Sequence, residues 1–223
     1  MVNNIEAQRG SMENLGEIRK RYRMLKLFCI YIMAIVIGLV FAVMFEAVKV
    51  HATVFYLAVI IGLFWYIKKE NIAWRSWFGK VHKEGVARIV VSALFVIFLL
   101  ITVITLRTAV WMEGLKEEFK FDVFAFIGSC CLAPLTEELV CRGIIFDLLR
   151  EKHSNTYSVI ISSIIFYVIH GNLMNIGTLF FGVLTGWMVI KTKSIVPGVI
   201  MHFIWNSVIF FLPAVAAGIG QSL

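Results

Sequence analysis

The chain has 223 residues, 60% of them hydrophobic and only 16% charged, with a mean hydropathy of +0.88. That composition excludes an ordinary soluble domain and predicts an all-α, polytopic transmembrane helical bundle of about seven spans, at roughly 20 residues each plus short loops. The net charge of +7 does not point to nucleic acid, because the basic residues cluster between apolar stretches, where membrane proteins collect them.

Residues 1–24 form a polar segment bearing Arg9, Arg19, Lys20, Arg21 and Arg23, and the apolar run behind it is too long for a cleavable signal peptide. Spans are expected at about 25–48, 52–67, 89–110, 123–149, 157–169, 174–190 and 195–215. The connector 68–88 interleaves Trp74, Trp77 and Phe78 with Arg75, Lys80 and Lys83 and reads as an interfacial segment, with rings at headgroup level beside cations. The fourth span is expected to be broken or bent at Pro134, which removes a backbone donor and frees a carbonyl. Gly171 and Asn172 make a turn before the sixth span, which carries a small-xxx-small face from Gly182 to Gly186. Pro197 falls in the first turn of the last span. Cys29, Cys130, Cys131 and Cys141 form no spaced framework and read as small buried hydrophobes.

Basic connectors at 1–24, 68–88, 150–153 and 191–193 alternate with poor ones at 49–51, 111–122 and 171–173. The positive-inside rule then places the N-terminus in the cytoplasm and the C-terminus outside a cell membrane crossed several times. The chain divides into a cytoplasmic segment 1–24, N-terminal spans with their connector at 25–122, a core at 123–215 and a tail at 216–223.

The core holds the chemistry. Glu137, Glu138 and Arg142 lie in one apolar stretch, and three such charges facing lipid would cost on the order of 8–10 kcal/mol. They must face protein, pair with one another or line a wet cavity. His170 and His202 are the two histidines deep in apolar surroundings. At about 1.5 Å per residue, Glu137 and His170 each sit roughly 20 Å, and His202 roughly 10 Å, from the cytoplasmic ends of their spans. Glu138 and Arg142 are spaced to pair along the helix, which leaves Glu137 without a local cation and makes it the better candidate base. His170 is its expected partner. His202 and Asn206 share one face of the last span and are candidate donors to an oxyanion.

Glu137-Glu138-xxx-Arg142, Phe166-xxx-His170 and His202-xxx-Asn206, in that order on successive apolar helices, resemble the CAAX protease and bacteriocin-processing family of intramembrane metalloprotease-like proteins, related to type II CAAX prenyl endopeptidases. The resemblance covers residues 123–215. It implies that Glu137 and His170 activate water, that His202 and Asn206 hold the oxyanion, and that Glu138 and Arg142 are structural or substrate-positioning. Many members carry an aromatic residue just before the arginine; this chain has Cys141, a change of packing more than of chemistry.

Other membrane-protease types lack their signatures. There is no HExxH, no Gly-x-Ser-Gly and no pair of transmembrane aspartates. No cofactor or metal is therefore expected, with zinc the second choice, because two histidines and a carboxylate match the protein ligand count of a catalytic zinc. The expected partners are a membrane-associated peptide substrate and the bilayer, not nucleic acid, and the sequence sets no oligomeric state. The resemblance implies leader, pheromone or bacteriocin peptide processing or immunity, ahead of a prenylated substrate. Two rivals stay open: a non-catalytic membrane scaffold of the same fold, and a proton-coupled carrier, because intramembrane Glu and His also form proton relays.

Overall fold

The computed structural model describes residues 48–79, 120–170 and 176–220, together with a subset of positions within 15–36 and 87–95. The expected third span, the 111–119 connector and the Gly171-Asn172 turn lie essentially outside the described residues. The described residues are helical, with no β-strand beyond an isolated bridge between Phe78 and Ser194.

Five helices carry the fold: α1 (Val48–Lys69), α2 (Val123–Arg150, continuous through α- and π-helical stretches), α3 (Asn155–Ile169), α4 (Ile176–Thr192) and α5 (Val196–Gly220). Most ends fall within two residues of those expected from hydropathy. The exceptions are the start of α1, four residues early, and the end of α5, five residues late. Two helices among the described residues, α2 and Val196–Ala214 of α5, are long and apolar enough to cross a membrane.

Local chemistry explains the starts. The Asp122 carboxylate accepts from the backbone N–H groups of Phe124 and Ala125 at 2.9 and 3.0 Å, capping α2. Ser154 caps α3 through Tyr157 N–H at 3.2 Å. Ser194 Oγ accepts from Val196 N–H at 3.2 Å at the head of α5. At the end of α1, Asn71 adopts a left-handed conformation with φ of 51°, and the next amide returns to Ile67 O at 3.0 Å.

Close packing follows the glycines where expected. A Cβ built on Gly182 would lie 3.1 Å from Ser163 Cβ, and one on Gly186 would lie 3.1 Å from Val159 Cγ1. Hydrogen at these two positions lets α4 press against α3.

Trp77 departs from the headgroup position expected of it. It is buried, its indole N–H donates to Asp147 Oδ2 at 2.6 Å, and its ring lies over Gly143. Its carbonyl accepts from Ile195 N–H at 2.8 Å. The connector after α1 is therefore clamped to the ends of α2 and α5. A lone indole N–H needs an acceptor once buried, and Asp147 supplies it. Helical residues at and before the start of the expected first span also join the core: Met24 and Tyr31 are buried, while Arg21 and Arg23 pair with Glu151 and Glu70 at 2.8 and 3.0 Å. Of the cysteines, Cys130 and Cys141 are buried, Cys131 is intermediate and Cys29 is exposed.

Candidate active site

Glu137 and Glu138 end a short α-helical stretch, Ala133–Glu138, set between π-helical turns at Ile127–Leu132 and Leu139–Ile145. Such turns recur at functional sites because widening the helix redirects side chains and backbone groups. The helix is not broken at Pro134; the wider turn before it accommodates the ring.

Glu137 meets both histidines. His170 caps the C-terminus of α3, and its Nδ1 lies 2.7 Å from Phe166 O. A carbonyl only accepts, which assigns the proton to Nδ1 and turns Nε2 toward the carboxylate. His170 Nε2 is 3.3 Å from Glu137 Oε2, and His202 Nε2 is 3.8 Å from the same oxygen. The other nitrogen of His202, Nδ1, lies 3.5 Å from Glu138 Oε1. Among the described residues no hydrogen-bond donor meets Glu137 Oε2 with good geometry. That oxygen is therefore the free acceptor at the centre of the cluster.

The cation sits one layer below. Arg142 is 1% exposed. Its Nε is 3.5 Å from Glu138 Oε2, and its Nη2 donates to Gly182 O at 2.8 Å and Thr185 Oγ1 at 2.6 Å. Its guanidinium also lies 4.9 Å from the Phe166 ring centre. Gly198 makes room for Glu138: a Cβ there would sit 2.8 Å from Glu138 Oε2.

Aromatic rings box the imidazoles. Phe166 lies 4.3 Å from His170 and 5.5 Å from His202 between ring centres, and Phe181 closes on His202 at 5.1 Å. His202 is 3% exposed at its side chain, Glu137 12% and His170 30%. The cluster opens on the His170 side.

Residues 119–208, which hold every one of these groups except Tyr56 described below, match the family model of type II CAAX prenyl endopeptidase Rce1-like proteins. Over these residues the chain is similar to the type II CAAX prenyl endopeptidase family. No curated protein and no solved structure gives a match. The Rce1-like family is membrane-embedded, in keeping with the two long apolar helices.

Within the Rce1-like segment, the structure brings Glu137, His170 and His202 together and keeps Glu138 and Arg142 behind them. Asn206 points differently. Its amide donates to Ser129 O at 2.8 Å, across to α2.

The Glu137, His170 and His202 ligand atoms lie within 4.8 Å of one another. A tetrahedral zinc with bonds near 2.0–2.1 Å needs ligand atoms separated by roughly 3.4 Å, so the donor set and the orphaned Glu137 Oε2 fit such an ion. Glu138 behind His202 Nδ1 would be the carboxylate that orients a metal-bound imidazole. When bound there, the ion would act as a Lewis acid and lower the pKa of a bound water.

Among the described residues, a side chain from outside the matched segment reaches the site. Tyr56 of α1 donates through its hydroxyl to Glu137 Oε1 at 3.1 Å. Tyr31, also outside the matched segment, is buried. Sequence reasoning missed Tyr56, although a signal was there: Tyr56 lies as far from Lys69, the end of α1, as Glu137 lies from Arg150, and a mid-span hydroxyl needs a partner.

Proposed function

We propose that the chain is an intramembrane endopeptidase in which Glu137 and His170 activate water. The observation that carries this is the convergence of one unsatisfied carboxylate oxygen and two imidazoles from three helices, at a largely buried place that opens on the His170 side. With Nδ1–H given to Phe166 O, His170 Nε2 and Glu137 Oε2 would repel as two lone pairs unless a proton is shared between them. A pair built to share a proton is a pair able to take one from water.

In the proposed step, water oxygen bonds to the scissile carbonyl carbon and its proton passes to the Glu137–His170 pair. The carbonyl oxygen becomes an oxyanion. Collapse breaks the C–N bond, and the same proton goes to the leaving nitrogen. His202 stands on the oxyanion side. Its Nε2 lies 3.8 Å from Glu137 Oε2 and, in the tautomer that carries hydrogen there, would present an N–H to the oxyanion. Asn206 is assigned to the same side through the N–H not committed to Ser129 O. The rival metal reading uses Glu137, His170 and His202 as ligands and is favoured by their mutual distances.

The substrate class proposed is a leader, pheromone or bacteriocin peptide held at the bilayer of a bacterial cell membrane. Seven spans with a cytoplasmic N-terminus and an outside C-terminus complete the reading. The test is cleavage of a fluorogenic membrane peptide by purified protein in detergent. Glu137→Gln, nearly isosteric, is expected to lower turnover by about 10²–10⁴-fold with the melting temperature retained. Cleavage near the wild-type rate would sink the mechanism, and peptide binding without turnover in the wild type would favour the scaffold.

A further inference from the structure

The N-terminal helices lie outside the segment that matches the family, yet α1 is built into the site. Thr53 Oγ1 donates to Phe124 O. Gly128 lets α1 approach at this level, because a Cβ there would lie 3.1 Å from the Thr53 backbone. Trp77, at the other end of α1, is tied to Asp147 and over Gly143. Both anchors hold α1 against α2, and between them Tyr56 places its hydroxyl on Glu137 Oε1 at 3.1 Å.

We infer that Tyr56 is a positioning residue for Glu137, so that the site is completed by a helix outside the family segment. This rests on the reading of Glu137 as the base. A glutamate carries three rotatable side-chain bonds and two equivalent oxygens. Left alone, it samples orientations in which neither oxygen faces both imidazoles. The Tyr56 hydroxyl holds Oε1, which leaves Oε2 aimed at His170 and His202. Tyr56 does this at low conformational cost, because a tyrosine has only two side-chain torsions and its ring packs edge-on against Phe55, 5.3 Å between centres. The phenol reaches the carboxylate oxygen turned away from the histidines, so it takes no part in the bonds that form and break.

The test is Tyr56→Phe, which keeps the ring and removes only the donor. Misplacement of a catalytic group by about 1 Å costs up to about a hundredfold in rate. The expected result is a fall in kcat of about tenfold to a hundredfold with KM and melting temperature unchanged. The second measurement is the double variant: added to Glu137→Gln, Tyr56→Phe should lower the residual rate no further, because its action passes through the carboxylate. A raised KM at unchanged kcat would make Tyr56 a substrate contact and overturn the inference. A lowered melting temperature with kcat restored on cooling would make it structural and also overturn it, as would a full additive loss in the double variant. Glu137→Gln separates the two readings. If it is inactive while Tyr56→Phe is fully active, the inference about Tyr56 fails alone; if it cleaves normally, the reading of the base fails with it.

Discussion

Asn206 and Ser129 are 77 residues apart, and the amide of one donates to the backbone carbonyl of the other at 2.8 Å. Pro134 explains why that carbonyl is available. In the π-helical turn Ile127–Leu132, Ala133 N–H bonds back five residues to Gly128 O. The next donor in that register would be residue 134 and would bond Ser129 O, but Pro134 has no N–H. Asn206 takes the freed carbonyl and thereby ties α5 to α2 just before the two glutamates. The carboxamide expected only as an oxyanion donor thus also fastens the helix that carries the base.

Asn206→Ala is therefore expected to lower both turnover and stability. The loss of an oxyanion donor costs about 10²–10³ in turnover, and the unpaired carbonyl costs about 1 kcal/mol in a part-exposed place. In a Pro134→Ala background the stability loss should shrink, since residue 134 can then donate. Thermal unfolding of the four proteins checks this, and an undiminished loss would dismiss the Pro134 account.

Arg142→Ala should destabilise by about 3–5 kcal/mol, because it strands the Glu138 carboxylate in a site with 0% exposure. Arg142→Lys should recover only part of this. One ammonium cannot replace the guanidinium that serves Glu138, Gly182 O and Thr185 together while stacking on Phe166. Melting temperatures in detergent, with wild-type values for Arg142→Lys as the refuting outcome, decide it.

Chelation separates proton sharing from metal binding at the same three side chains. Phenanthroline and EDTA are expected to leave cleavage largely intact. Complete loss restored by zinc alone would hand Glu137, His170 and His202 to the metal reading, and a His202→Ala protein should then lose zinc in equilibrium dialysis.

Topology is checked in a cysteine-less background by labelling from intact cells. A cysteine replacing Gly218 should label directly, and one replacing Ser76 should label only after permeabilisation. The reverse pattern would turn the site toward the outer leaflet.

Helix α2, with the charged cluster inside it, was legible along the chain, and so were α3, α4 and the start of α5. Hydropathy runs, N-cap residues such as Asp122 and Ser154, and the small residues Gly182 and Gly186 act over a few positions of one chain, so local spacing is enough to read them. The pairing of Glu138 with Arg142 was also local, being four residues long. Depth arithmetic brought Glu137, His170 and His202 to compatible levels, but it said nothing of which faces meet. Only the tertiary structure decided that His202 stands between both glutamates, that Asn206 holds Ser129 O, that Trp77 turns inward to Asp147 and that Tyr56 reaches Glu137 from 81 residues away. Those contacts depend on the rotation and crossing of packed helices. Both are set by close approach at glycines and by the need of buried polar groups for partners, and neither leaves a period in the sequence.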